Sequence, residues 1–340
     1  MSLAPHKWLP AVSLTLACLL AGCGEEKAVA IKSEPPAKTE SEKIADFLKN
    51  YKKKAMDGDA SAQYQLGVWH YYGTEHQAKD FAKAVYWWRM AAEQEAPGAM
   101  YNLGHCYFYG QGVTQDYSQA LAWWRKAAEE EVIGEDKYVL KHGYSKAQWR
   151  IGMCFYKGEG VVQDYAQAID WFRKAAVENI LRDYGASSEA QFYLGVCYAD
   201  GLAVTKDPAK AVSWYRKAAD HGLDIAQNRL GLCYAAGKGV EKDELQAAAW
   251  FRKAADQGNS DAQLSLGACY SDGRGVLKDS VEAYAFISLA GITNESARRF
   301  LSNLENNLSR NEIVAGQKRA KELQKEIEAK IAAAKATDNK

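Results

Sequence analysis

The sequence predicts an all-α protein, specifically an α/α solenoid made of six copies of one helix-turn-helix unit. The first observation behind this is a pattern that recurs six times: Ala, then Leu or Ile four residues later, then Gly. The second is the three- and four-residue spacing of apolar residues in each copy, which is typical of amphipathic helices. The six copies start at Ala62, Ala99, Ala147, Ala190, Ala226 and Ala262.

The first 22 residues have the layout of a secretory signal peptide. A weakly basic start is followed by an apolar run over residues 11–20, too short to span a bilayer as a stable helix. The run ends in Leu20-Ala21-Gly22-Cys23, which resembles the lipobox of bacterial lipoproteins. An ordinary secreted protein with a chance Cys at this position is the alternative.

The lipobox resemblance implies cleavage before Cys23 and acylation of its thiol and new amino group. Two or more acyl chains give stable membrane anchoring. In lipoproteins of this kind an Asp after the Cys retains the protein at the inner membrane, whereas this chain has Gly24. We therefore expect an outer-membrane anchor facing the periplasm. Residues 23–40 would form a polar tether, and residues 41–61 a capping helix.

Each unit is predicted to contain two helices, A and B. The repeat Gly lies within helix A, and it suggests that another backbone approaches closely there, since Gly is costly in a helix. A Gly-x-Gly-Val turn follows in most copies, with its first Gly suited to a left-handed helix cap. An Asp then caps helix B. These Asp residues are Asp80, Asp116, Asp164, Asp207, Asp243 and Asp279.

Helix B carries a column of Trp followed by Lys or Arg. We interpret the column as a packing ladder between helices, and the cations as complements to the helix dipole. Five of the seven cysteines recur two residues after the repeat Gly, and we expect them to be buried free thiols because stacked helices hold them too far apart to bridge. The Trp column comprises Trp87, Trp123, Trp171, Trp214 and Trp250.

The combined pattern resembles the Sel1-like repeat, a relative of the tetratricopeptide repeat, over residues 62–291. The resemblance implies an α/α solenoid with helices A on its concave side, and a scaffold or adaptor role without catalysis by the repeats. Residues 292–340 would cap the array with two helices, the last of which follows a capping box of Ser309 and Glu312 and buries Leu323, Ile327 and Ile331. A partner-binding last helix is the alternative. The predicted repeats span 62–98, 99–146, 147–189, 190–225, 226–261 and 262–291.

Two insertions follow helix B of the second and third copies, in the intervals Ala128–Ala147 and Ala176–Ala190. Insertions on one side of a solenoid often mark its binding face, although loop drift would also explain them. Helix A is also rich in rings in copies one to four and poor in them afterwards. We predict that a protein partner docks on copies two to four, between the groove and the inserted edge. The candidate contacts are Tyr64, Tyr101, Phe108, Tyr109, Tyr138, His142, Tyr144, Trp149, Tyr156, Tyr184, Phe192 and Tyr193.

No catalytic motif emerges. The six His form no recognised metal-ligand spacing, and the repeated Gly-x-Gly-Val follows a helix, unlike a nucleotide-binding loop. Acids and bases balance at 43 each, which gives no electrostatic footprint for nucleic acid. We expect a monomeric, cofactor-free scaffold without metal or enzyme activity. The alternatives are an immunity protein that inhibits a secreted antibacterial toxin, such as a phospholipase, and a binder of peptidoglycan glycans.

Overall fold

The structure is a computed structural model that describes residues 49–73, 78–129, 132–133, 139–140, 145–177 and 184–337. The proposed signal peptide, Cys23 and the tether lie outside this part of the chain. A helix over residues 49–56, α1, precedes the first unit. The fold beyond it consists of helix pairs, so the predicted all-α solenoid is confirmed.

The A helices are the first helices of the six units. They are α2 (Ala60–Tyr72), α4 (Pro97–Tyr109), α6 (Ser145–Lys157), α8 (Tyr184–Asp200), α10 (Asp224–Ala236) and α12 (Ser260–Asp272). The B helices are α3 (Phe81–Ala92), α5 (Tyr117–Glu129), α7 (Tyr165–Ala175), α9 (Pro208–Asp220), α11 (Glu244–Ala255) and α13 (Ser280–Ala290). Two further helices close the chain, α14 (Glu295–Glu305) and α15 (Arg310–Thr337).

The two insertions take different forms. The first contains a short antiparallel ribbon of β1 (Val132–Ile133) and β2 (Val139–Leu140), in which Val132 lies opposite Leu140. This ribbon was not predicted, because two-residue strands are too short to show an alternating pattern. The second insertion lengthens a helix instead, and α8 has 17 residues where α10 has 13.

All six predicted Asp caps are present. In each unit the Asp carboxylate accepts a hydrogen bond from a backbone N–H in the first turn of the B helix, for example Lys83 N to Asp80 Oδ1 at 3.0 Å. The same Asp donates its own N–H back to the preceding A helix, as Asp80 does to the carbonyl of His70. The turn between the helices is thereby fixed at both ends. The other caps are Asp116, Asp164, Asp207, Asp243 and Asp279.

The repeat Gly contacts a large side chain of the B helix. A Cβ at residue 104 would lie 2.4 Å from the Trp124 ring, and one at residue 231 would lie 2.6 Å from the Phe251 ring. The expected approach of a second backbone is found in four units, where a B-helix carbonyl lies 3.1–3.4 Å from the Cβ position at residues 152, 195, 231 and 267, but a side chain lies closer in each. The Gly makes room for a ring that fills the space between the two helices.

The Trp column lies beside this buried contact. Trp87 and Trp250 are buried, whereas the three central members are half-buried. A Lys three residues further along the helix covers each of the last four rings, as Lys253 Nζ does at 3.9 Å from the centroid of Trp250. The column therefore combines packing with cation–π contact.

In five of the six units a buried glutamine joins the unit to the helix before it. In α2, Gln63 Nε2 donates to the carbonyl of Ala55 in α1 at 2.9 Å, and Gln227 in α10 donates to Ala219 at 3.1 Å. Because buried polar groups need partners, this amide fixes the stacking distance. Met100 takes the position in the second unit. The remaining bonds are Gln148 to Ala128, Gln191 to Ala176 and Gln263 to Ala255.

The C-terminal helix caps the array as predicted. Leu323 and Ile327 are buried, and Ile331 packs with them against the last repeats. Arg319 pairs with Glu282 of α13 at 2.7 Å, which ties α15 to the sixth unit. Helix α15 begins with the expected capping box, in which the Ser309 N–H donates to Glu312 Oε2.

The five described cysteines are buried free thiols, which confirms that expectation. Burial raises the pKa of Cys106 and Cys154 to about 12, so neither is a reactive thiolate near neutral pH.

Candidate protein-binding face

The A helices leave one side uncovered by the B helices, and we call this side the A face. It is formed by the residues two before, one after and five after each repeat Gly. On α4 these residues are Asn102, His105 and Tyr109. On α6 the residue two before the repeat Gly is Arg150. Of the predicted ring residues, Tyr109 and Tyr193 occupy these positions, and Tyr64, Tyr101, Trp149 and Tyr156 occupy the positions next to them.

The ring residues differ in how much of each side chain is available. Tyr109 is 49% exposed, whereas Phe108 and Phe192 are buried. Phe108 packs on Trp124 and Phe192 on Tyr215, so these two rings belong to the core beneath the face. The half-buried members are Tyr64, Tyr101, Trp149, Tyr156 and Tyr193.

Ring contacts connect neighbouring A helices. Tyr156 of α6 and Tyr193 of α8 meet edge to face, with centroids 5.2 Å apart. Tyr193 also stacks on Phe172 at 5.5 Å. These interactions hold the exposed edges of the rings in one arrangement, which reduces the entropy lost when a partner covers them.

A polar cluster at the start of the A face was not predicted. Tyr71 Oη donates to Gln111 Oε1 at 2.7 Å and lies 3.4 Å from His105 Nδ1. The His105 ring is 4.5 Å from that of Tyr109. Burial, and then the nearby charge of Arg150, lower the pKa of His105 to about 4, so the ring is neutral at physiological pH. Sequence spacing gave no signal for this cluster because its members come from two units and a turn.

Arg150 is the cation of this region. Its guanidinium lies 4.8 Å from the centroid of the Trp149 ring. Burial lowers the pKa of Arg150, but interaction with the hydroxyls of Tyr101 and Tyr109 raises it by more, and the net shift is upward. Within the described residues, no Asp or Glu forms an ion pair with it. The residue therefore holds a full positive charge among aromatic rings.

The A face changes character in the last two units. Where α6 has Trp149 and Arg150, α10 has Asn228 and Arg229, and α12 has small or aliphatic residues. Arg229 is exposed. The rings are thus confined to the first four units.

Of the candidate residues on the inserted edge, Tyr138, His142 and Tyr144 lie outside the described residues. Tyr184 begins α8, and its side chain is likewise outside them. The structure therefore does not test the predicted contribution of this edge.

In the part of the chain that the structure describes, His, Cys, Asp and Glu side chains do not gather in threes at a geometry able to hold a metal ion. Among the same residues, the helices are too short or too polar to cross a membrane.

The Sel1 repeat family model matches the chain six times. The matched ranges are 60–95, 97–131, 145–176, 188–223, 224–259 and 260–291. A Sel1 repeat protein from Oxalobacter formigenes is 32% identical, covers 70% of this chain and 89% of its own, and superposes with a TM-score of 0.61.

Two other similarities are more limited. An immunity protein from Pseudomonas aeruginosa is 21% identical over 68% of this chain and 80% of its own, with a TM-score of 0.41. A component of an ERAD-associated E3 ubiquitin-protein ligase, HRD3A of Arabidopsis thaliana, is 34% identical over 59 residues. That match spans 17% of this chain and 9% of the plant protein.

Proposed function

Because the chain belongs to the Sel1 repeat family, we propose that it is a protein-binding scaffold whose A face in units two to four holds a protein partner. The observation that carries this proposal is that half-exposed rings at or next to the A-face positions occur in the first four A helices and not in α10 or α12. Tyr, Trp and Arg dominate binding energy in protein interfaces, and here Tyr101, Trp149 and Arg150 lie together.

The proposal includes a location. The Leu20-Ala21-Gly22-Cys23 segment supports lipid attachment at Cys23, and Gly24 supports an outer-membrane position facing the periplasm. The chemistry is binding without catalysis. Labelled palmitate incorporated into the chain, and lost in Cys23→Ser, would support the anchor, whereas equal labelling of the two would contradict it.

Site-specific photo-crosslinking in living cells tests the docking face. A photoreactive phenylalanine at Tyr109 should give a discrete adduct, because this ring is 49% exposed, more than any other predicted ring whose side chain the structure describes. The matched control is Ala236, the exposed residue at the equivalent position of α10. Adducts of equal yield at both positions, or none at Tyr109, would contradict the proposed face.

The identity of the adduct separates the candidate roles. An envelope protein supports a scaffold, and a secreted antibacterial toxin in a one-to-one adduct supports the alternative of an immunity protein. Retention on purified peptidoglycan without a protein adduct would favour glycan binding instead.

A further inference from the structure

We propose that Arg150 and Trp149 form a carboxylate-binding site on the A face, which takes an Asp or Glu side chain from the surface of the partner protein. This inference rests on the proposed scaffold function and adds the chemistry of the contact. Three observations support it: two buried donors without acceptors, a cation without a described counter-ion, and a single positive charge within the cluster.

The first observation concerns two buried N–H donors, one on Arg150 and one on Trp149. Arg150 Nε and Trp149 Nε1 are both buried, and neither has a hydrogen-bond partner among the residues that the structure describes. Buried N–H groups are nearly always paired in folded proteins, so two adjacent exceptions call for an explanation. A group that offers only acceptors would satisfy both, and an ionised carboxylate is such a group. Both atoms are covered in the free chain, so binding involves a movement of the Arg150 side chain.

The electrostatic setting favours an anion. Arg150 lies against the Trp149 ring and the hydroxyls of Tyr101 and Tyr109, which stabilise its charge without neutralising it. A carboxylate arriving here would meet a guanidinium already stripped of much of its water. The attraction between such charges is several times stronger than in bulk water. The planar guanidinium also matches a carboxylate in two parallel hydrogen bonds.

The number of charges favours a carboxylate over a phosphate. Within this cluster of described residues Arg150 is the single cation, because the neighbouring His105 is neutral at physiological pH. One guanidinium balances the one negative charge of a carboxylate, whereas a phosphate monoester carries nearly two. The surrounding tyrosines and Trp149 supply apolar contact for the rest of the partner surface.

The chain contains a matched control for this site. Arg229 stands two residues before the repeat Gly of α10, as Arg150 does in α6. Arg229 is exposed, however, and follows Asn228 where Arg150 follows Trp149. A substitution there removes the same charge from an equivalent position of the array.

The test uses the full-length acylated chain in detergent micelles and defined peptides. The probe is a fluorescein-labelled, C-terminally amidated peptide Gly-Phe-Glu-Tyr-Gly, compared by anisotropy with the same peptide carrying Gln in place of Glu. We expect binding of the Gln peptide to be at least fivefold weaker. Arg150→Gln should weaken binding of the Glu peptide by a similar factor. Arg150→Lys should weaken it by less, and Arg229→Gln by under twofold.

Several results would overturn the proposal. These are equal binding of the Glu and Gln peptides, or equal effects of Arg150→Gln and Arg229→Gln. If a phosphoserine peptide, or the Gln peptide with a free C-terminal carboxylate, bound more tightly than the amidated Glu peptide, the anion that the site binds would have another source. Circular dichroism melting of each variant separates lost binding from lost folding, and Arg150→Lys keeps the test valid if Arg150→Gln unfolds.

The two proposals can fail separately. If crosslinking at Tyr109 finds no protein partner, the scaffold function fails while the peptide comparison still measures the carboxylate site. If a partner is found and Arg150→Gln leaves its adduct and affinity unchanged, the scaffold stands and the carboxylate site is wrong.

Discussion

The indole of Trp124 lies so close to Gly104 that a Cβ atom at residue 104 would sit 2.4 Å from Trp124 Cδ1. The indole Nε1 also donates to the carbonyl of Tyr101 at 3.0 Å. The buried contact between helices A and B therefore helps to position a backbone segment that carries an A-face ring. This relationship leads to a stability prediction.

Gly104→Ala should destabilise the fold by about 1–3 kcal/mol. Helix propensity alone would stabilise it by about 1 kcal/mol, but the added methyl forces the buried indole to move, and overpacking of this kind costs more. Urea unfolding followed by circular dichroism measures the change. Asn102→Ala on the same helix is the control, and a Gly104→Ala protein as stable as the wild type would contradict the close contact.

The Gly-x-Gly-Val turn predicts opposite effects at two equivalent positions. Gly239 has φ +76°, and a Cβ there would lie 2.2 Å from the Pro208 carbonyl oxygen, so Gly239→Ala should cost about 2 kcal/mol or more. The fourth unit instead has Ala203 at φ 52°. Ala203→Gly should stabilise by up to about 1 kcal/mol, because left-handed backbone is strained for Ala. If the melting temperatures of Gly239→Ala and Ala203→Gly changed in the same direction, the prediction of opposite effects would be wrong.

An interhelical hydrogen bond that recurs along the array is missing at one junction. Arg89 in α3 donates to the Tyr107 hydroxyl in α4 at 3.0 Å, and Arg173 reaches Tyr198 in the same way. At the junction between α5 and α6, Arg125 holds the position equivalent to Arg89, but Phe155, which has no hydroxyl, holds the position equivalent to Tyr107. Phe155→Tyr should add about 0.5–1 kcal/mol of stability. The double variant with Arg125→Ala should lose that gain, and a gain that persists would assign it to another cause.

Acid should destabilise the fold through His105. Its pKa in the folded chain is about 4 and the ordinary value is 6.5, so the unfolded chain binds more protons between these values. Stability from this group is complete above pH 6.5 and falls as the pH drops toward 4, by an amount on the order of 2–3 kcal/mol. Unfolding free energies from pH 4 to 7.5 for the wild type and His105→Gln should diverge below pH 6.5, and parallel curves would contradict the burial of a neutral ring.

The proposed docking surface, which combines the A face with the inserted edge expected from the sequence, predicts which truncations impair partner binding. Tyr101→Ala, Trp149→Ala and Tyr144→Ala should each weaken binding of the crosslinked partner at least tenfold, about 1.4 kcal/mol. Asn228→Ala, at the position of α10 equivalent to Trp149, should have little effect. If all three ring variants fold and bind normally, the partner docks elsewhere.

Local patterns in the sequence were sufficient for the repeat architecture. The Asp caps, the free cysteines and the capping box at Ser309 each depend on residues within one short segment, and each was correctly predicted. Contacts between units were harder to predict. The partner of Gln63 lies in the previous helix, and its amide gives no periodic apolar signal.

The A face could likewise be predicted only in part from the sequence. Ring-rich positions could be identified from the sequence, but the half-buried state of Arg150 and its place between Tyr101 and Tyr109 depend on how α6 stacks on α4. The separation of buried Phe108 from exposed Tyr109, two adjacent residues, likewise depends on which side of α4 the B helix covers.

The glutamine that joins successive units also makes their junctions interchangeable. Gln227 reaches the carbonyl of Ala219, and Gln263 reaches that of Ala255, with the same eight-residue separation. Deleting residues 224–259 would bring Gln263 to the same separation from Ala219. The new junction could then form the same hydrogen bond as the existing ones. Whole units could therefore be gained or lost during evolution, and the length of the binding surface could change, while the hydrogen bond at each junction is kept.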